Sequence, residues 1–194
     1  FEKLKYFWEE YLSKQQVTTP EKAMNTMLNI HNPRQCLITK NWSRYLSLYQ
    51  LGFGSRGIGF RDGAQDVMGI MGNAPEEGRE LIEKLLQVQK RNGSAMHQFN
   101  PVTMIASEGD AREMEERPKY YSDDHLWIVL SVCCYIKETG NIRFLDKIIP
   151  FYEKDKNGRP LEEASVLEHL MRAINFTEND LGSHGLPLLG FADW

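Results

Sequence analysis

The chain has 194 residues, of which 41% are hydrophobic and 15 are glycine, a composition of ordinary globular proteins that excludes disordered and collagen-like chains. Its 23 Lys and Arg stand against 27 Asp and Glu, and the resulting charge of −4 lacks the positive field that a phosphate backbone selects, which excludes nucleic acid as a partner. No apolar run approaches the roughly 20 residues that cross a bilayer, and the first ten residues carry charges where a signal peptide is apolar, so no membrane partner is expected.

Leu4, Phe7, Trp8, Tyr11 and Leu12 recur at intervals of three and four, which predicts an amphipathic helix from Phe1 to about Ser13 that packs by its aromatic face. Thr19-Pro20-Glu21 opens a second helix, carried by Ala23, Met24, Met27, Leu28 and Ile30 and expected to stop at Asn32-Pro33. A third runs from Gln35 to about Leu51, with Arg44 as the cation in its middle. The stretch 52–63 then holds five glycines in twelve residues and reads as a functional loop, too glycine-rich for a regular element. Helical spacing resumes over Ala64–Met71 and again from Pro75 to Val88, ended by Asn92-Gly93. Residues 94–120 are irregular and highly charged, a long loop of the kind that usually serves function.

Ser122-Asp123-Asp124 supplies an N-cap and acidic first turn for the most apolar helix, Leu126 to Glu138, closed by Thr139-Gly140-Asn141. Ile142–Ile149 and Val166–Phe176 read as further helices around the charged loop Glu153 to Arg159, and a turn-rich loop follows from Leu181 to Pro187. No segment alternates convincingly as a strand, so an all-α fold is expected, with helices and glycine-rich loops alternating as in a toroid of paired helices. Cys36 and the adjacent Cys133 and Cys134 make neither a disulfide framework nor a CxxC metal motif, which suits a reducing, cytoplasmic setting; Cys133 and Cys134 are expected to be small buried side chains. A start at Phe1 and an end at Ala192-Asp193-Trp194 suggest a piece of a longer polypeptide.

Two constellations carry the polar chemistry. In Arg56-Gly57-Ile58-Gly59-Phe60-Arg61-Asp62, followed by Asp66, two guanidiniums and two carboxylates stand among glycines, able to line a sugar whose hydroxyls both donate and accept; equally, Arg61 and Asp66 can brace the loop as a salt bridge. In Tyr120-Tyr121-Ser122-Asp123-Asp124-His125-Leu126-Trp127, adjacent carboxylates among aromatics suit a general acid, or a helix cap, or one of each. His31, His97, His125, His169 and His184 form no HxxxH or HExxH pattern, so no metal site is expected, and there is no nucleophile elbow.

In chain order, Gln35-Cys36-Leu37, Trp42-Ser43-Arg44, Gly57-Ile58-Gly59-Phe60-Arg61-Asp62 with Gln65-Asp66, Asn92-Gly93-Ser94-Ala95-Met96-His97-Gln98, Tyr121-Ser122-Asp123-Asp124-His125-Leu126-Trp127, Tyr135-Ile136-Lys137-Glu138-Thr139-Gly140, His184-Gly185-Leu186-Pro187 and Ala192-Asp193-Trp194 follow one another. This series resembles the inverting glycoside phosphorylases of the cellobiose and chitobiose phosphorylase family, glycoside hydrolase family 94, from about residue 32 to the end. The resemblance implies an all-α fold, part of an (α/α)6 barrel, with residues 1–30 as a helical linker and 31–194 as the N-terminal portion of the catalytic barrel. The implied reaction is reversible inverting phosphorolysis of a β-linked glucosyl or N-acetylglucosaminyl oligosaccharide to an α-sugar 1-phosphate. Inorganic phosphate is then a co-substrate and no cofactor is expected. Carried over residue by residue, Asp123 is the general acid with Tyr121 beside it, Arg56 and Asp62 grip the sugar, and Arg44 contacts phosphate. Arg61 and Asp66 share the sugar motif, and Asp124 is the second choice of acid. The resemblance also implies a homodimer for the full-length enzyme and an inactive isolated fragment. The alternatives are an inverting hydrolase on the same barrel, which needs a second carboxylate, and a non-catalytic carbohydrate-binding helical domain.

Overall fold

A computed structural model describes residues 1–45, 57–113 and 119–191. Helix α1 (Glu2–Ser13) forms where the periodicity places it, but its stripe is only half used: Tyr11 is buried, with Trp8 and Leu12 packed beside it, while Leu4 and Phe7 face outward. Then α2 (Lys22–Thr26) and α3 (Asn32–Ile38) are joined by a π-helical stretch, Met27–His31, and a second such stretch, Thr39–Tyr45, follows. The expected stop at Asn32-Pro33 is therefore absent. Pro33 lacks an N–H and its ring presses on the carbonyl four residues back, and it is tolerated here at the first positions after a widened π turn. Tyr11 donates its hydroxyl to the Pro33 carbonyl (3.3 Å), and Asn73 Nδ2 donates to the Tyr11 carbonyl (2.9 Å), which ties α1 to the helices behind it.

The main core gathers α4 (Phe60–Ile70), α5 (Pro75–Leu86), α6 (Asp124–Thr139) and α7 (Val166–Glu178). Phe60, Val67, Ile82, Leu85, Ile128 and Val132 are fully buried there, each worth about 1.5–3 kcal/mol of removal from water. Helix α4 begins at Phe60, four residues before the expected Ala64, so Arg61 and Asp62 sit in a first helical turn rather than a loop. Gly57 is what permits that start. Its φ of +88° is left-handed, and a Cβ would lie 2.4 Å from the Phe99 carbonyl oxygen.

Short strands correct the all-α expectation. β1 (Ile58–Gly59), β2 (Gln98–Phe99) and β3 (Ala106–Ser107) form an antiparallel three-stranded sheet in that order, with Ile58 opposite Phe99 and Phe99 opposite Ala106. β4 (Ile148–Pro150) pairs antiparallel with β5 (Glu163–Ser165), so the expected helix over Ile142–Ile149 is a 3₁₀ turn (Ile142–Asp146) followed by a strand. Strands of two or three residues are too short to show alternation. Their pairing is tertiary. Helix α6 matches its expected span and ends on left-handed Gly140, and α7 is capped by Ser165, whose Oγ accepts from the Glu168 N–H. Cys133 is exposed and Cys134 only partly covered, against the expectation of burial, because a helix apolar on nearly all faces still turns one of them outward. Among the described residues, no helix is long and apolar enough to cross a membrane.

Candidate functional site

The site is built from the first turns of α4 and α6. Phe60 N–H donates to the His97 carbonyl (2.8 Å), which fixes the start of α4 against the chain entering β2. The next two residues point apart, because successive helical positions diverge by roughly 100°. Arg61 reaches α6, where its Nη1 lies 3.2 Å from Asp123 Oδ1 and 3.1 Å from Oδ2. Asp62 and Asp66, one turn apart, both face Arg44, at 3.3 Å from its Nη2 and 3.2 Å from its Nε. The alternative of an Arg61–Asp66 brace is thus not what forms: five residues apart on a helix, the two point to different neighbours.

Asp123 occupies the N-cap position of α6, yet its side chain makes no capping hydrogen bond. The carboxylate instead accepts from Arg61 and from Trp127 Nε1 (2.8 Å), and its side chain is one-third exposed. Two donors hold a carboxylate that stays partly accessible. Asp124 is the reverse case: it is 1% exposed, its Oδ2 is hydrogen-bonded to His97 Nδ1 at 2.8 Å, and its Oδ1 has no hydrogen-bond partner among the described residues. Burial pushes the Asp124 carboxyl above the usual carboxylate range, opposed by His97. The side-chain cap reading therefore gives way, and the pair divides into one partly exposed carboxylate, Asp123, and one enclosed, Asp124.

Tyr121 is buried, its ring stacked on His97 (centroids 3.5 Å apart, planes 11° apart) and its hydroxyl accepting from the Asp110 N–H at 3.3 Å. It backs the site rather than standing open in it. Arg44 and Asp66 line a cavity of about 230 Å³ with Lys40, Glu77 and Lys84. Burial pushes Asp66 up to about 6 despite the attraction of Arg44. Asp123 lies outside that lining. Arg56 falls outside the described residues.

Trp127 and His97 are contacts to which sequence reasoning gave no role beyond their place in a motif. The i,i+4 spacing of Asp123 and Trp127 on one helix face was a readable signal; the approach of His97 to Asp124 was not, since 27 residues separate them. Among the described residues no group of three or more His, Cys, Asp or Glu is arranged to hold a metal ion.

The chain is similar to the N,N'-diacetylchitobiose phosphorylase of Vibrio proteolyticus, with 31% identity over all of this chain and 25% of that protein. It is similar to the solabiose phosphorylase of Paenibacillus borealis, at 28% identity over 92% of this chain and 19% of the relative. It also resembles the cyclic beta-(1,2)-glucan synthase NdvB of Rhizobium meliloti, at 29% identity over all of this chain and 7% of that protein. The chain spans about a quarter or less of these curated relatives. Residues 7–194 match the family described as "Glycosyl hydrolase 94 superfamily, catalytic domain". With nearly the whole chain matched and the paired turns of α4 and α6 at its centre, the chain belongs to the glycosyl hydrolase 94 superfamily.

Proposed function

We propose that this chain works as part of a longer glycoside phosphorylase, which cleaves a β-linked glucosyl or N-acetylglucosaminyl oligosaccharide with inorganic phosphate and releases an α-sugar 1-phosphate. The observation that carries this reading is the carboxylate of Asp123, diverted from helix capping and held partly exposed by Arg61 and Trp127. The phosphorylases among its relatives support the same chemistry.

In the proposed reaction, Asp123 gives its proton to the glycosidic oxygen as the bond to the anomeric carbon breaks, and the acceptor sugar leaves as an alcohol. A phosphate oxygen forms the new bond from the opposite face, inverting the configuration. Phosphate arrives as an anion and needs no base, so one carboxylic acid suffices where an inverting hydrolase needs two. Arg56, Arg61 and Asp62 grip the sugar, Asp66 braces Arg44, and Tyr121 supports the same subsite from behind. Arg44 contacts phosphate. Asp62 pairs with Arg44 and Arg61 with Asp123, so successive residues of one helical turn hold the phosphate contact and the acid near one sugar. The reading extends to an (α/α)6 barrel that begins near residue 31 after a helical linker, with the remaining phosphate contacts supplied by other parts of the longer chain.

The test is an assay of the full-length protein on a panel of β-linked disaccharides with and without phosphate. Sugar 1-phosphate in the α configuration should form only when phosphate is present, and Asp123→Asn should lower turnover by at least about 1,000-fold, some 4 kcal/mol of barrier, with sugar binding retained. Phosphate-independent release of sugar would establish the hydrolase alternative, and Asp123→Asn within about tenfold of wild type would remove Asp123 as the acid. The isolated 194-residue chain should form no sugar 1-phosphate.

A further inference from the structure

We infer that His97 is a positioning residue, anchored on Asp124, that locks the sugar-gripping turn of α4 to the acid-bearing turn of α6; this rests on the reading of Asp123 as the acid. His97 reaches both turns through three of its parts. The His97 carbonyl accepts from Phe60 N–H (2.8 Å), immediately before Arg61, and its Nδ1, in the tautomer that carries the proton there, donates to Asp124 Oδ2 (2.8 Å), immediately after Asp123. Its ring stacks on Tyr121, two residues before Asp123, and Gly109 lies against the ring edge, where a Cβ would come within 2.8 Å of Cδ2. Main chain, ring face and ring nitrogen thus each hold a different flank of the Arg61–Asp123 pair.

The energetics favour a positioning role over simple packing. A carboxylate as enclosed as Asp124, with one oxygen unpartnered among the described residues, is a liability to the fold unless a donor compensates it, and an apolar pair would fill the same volume at less cost. What an apolar pair lacks is direction. The Nδ1 hydrogen bond fixes the rotation of the imidazole about its own axis and so sets the plane against which Tyr121 stacks. It also fixes the rotation of the first turn of α6, which turns Asp123 toward Arg61 and Trp127 instead of back over the helix end.

Substitutions in the full-length enzyme separate the ring from the donor. His97→Phe keeps the stack on Tyr121 and removes the donor; kcat for phosphorolysis should fall about 10–100-fold while KM for the disaccharide moves less than about threefold. His97→Asn places an amide N–H near the lost Nδ1 and should recover most of that kcat. The double variant His97→Phe/Asp124→Leu removes the stranded carboxylate, so it should regain the Tm lost by His97→Phe without regaining kcat. Were kcat to return together with Tm, or were His97→Asn no faster than His97→Phe, the role would be structural and the inference overturned. It is overturned equally if His97→Phe keeps kcat within about threefold while Asp123→Asn is inactive. Should His97→Phe not fold, comparing His97→Asn with the double variant decides the matter. Failure of the underlying reading looks different: wild type without phosphate-dependent turnover, or an active Asp123→Asn.

Discussion

At the first turns of α4 and α6, Arg44 and Arg61 meet Asp62, Asp66 and Asp123; around β5 and the first turns of α7, Arg91 and Arg172 meet Glu162 and Glu168. Both clusters pair guanidiniums with carboxylates, at 3.1–3.3 Å in the first and 2.5–2.8 Å in the second, yet Asp66 and Glu162 respond in opposite directions. Asp66 is only 8% exposed, and burial pushes it up to about 6 in spite of Arg44. Glu162 lies near the surface, and the hydrogen bonds from Arg172 and Arg91 hold it down at about 2. The second cluster is a clasp: Arg172 also covers the Phe151 ring at 4.7 Å, and the Arg91 N–H donates to Glu153 at 3.1 Å. A guanidinium beside a carboxylate therefore does not by itself mark a site. Desolvation decides whether the pair is committed to structure or has a proton within reach of neutral pH.

The contrast breaks most easily at Arg61. Arg61→Ala in the full-length enzyme should lower kcat/KM by about 100–1,000-fold, roughly 3–4 kcal/mol, since it removes the charged donor that orients Asp123; a loss under about threefold would place Arg61 with the structural clasp. Next is Trp127→Phe, which keeps the ring and deletes the indole N–H that meets Asp123 at 2.8 Å. A loss of about tenfold in kcat is expected, the worth of one hydrogen bond to a charged group, and steady-state kinetics will show it.

Two buried groups sharpen the comparison through pH. Asp66 is raised from 3.8 to about 6, so its contribution to stability is complete below the unfolded value and is lost as pH rises through about 6. His125, its Nε2 2.7 Å from Thr177 Oγ1, is lowered by burial from 6.5 to about 4; its contribution is present above the unfolded value and is lost as pH falls through about 4. The two oppose each other in the same window, each by about 3 kcal/mol at most. Thermal midpoints measured from pH 4 to 7 should therefore gain a rising slope in Asp66→Asn and a falling one in His125→Gln; identical profiles for both variants would contradict the assigned burial. The smallest effect is expected from Glu162→Gln, which should cost about 1 kcal/mol or less because solvent screens the clasp, and should leave turnover unchanged. A threefold change in turnover would tie the clasp to the site.

Several features were legible in the residues alone. The periodicity placed α1, α5, α6 and α7 within a few residues of their observed ends, because capping groups and apolar stripes act over one or two turns. It erred where neighbours distant in the chain decide: Pro33 passes through a widened helix, and Ile148–Pro150 becomes a strand because Glu163–Ser165 lies beside it. At the site, the residue types left a sugar lining open beside a salt-bridge brace and a general acid beside a helix cap; the family resemblance implied the sugar and one acid, but not which partner each charge would take.

By itself the sequence determined the family, the helical bulk of the fold and the aspartate pair opening α6, since order along the chain, side-chain period and local capping are properties of neighbouring residues. Only the tertiary structure decided that Arg61 turns to Asp123 while Arg44 takes Asp62 and Asp66, and that Asp123 is presented while Asp124 is enclosed against His97. The physical reason is that burial and charge pairing depend on which segments fold against one another, and α4, β2 and α6 bring together groups tens of residues apart.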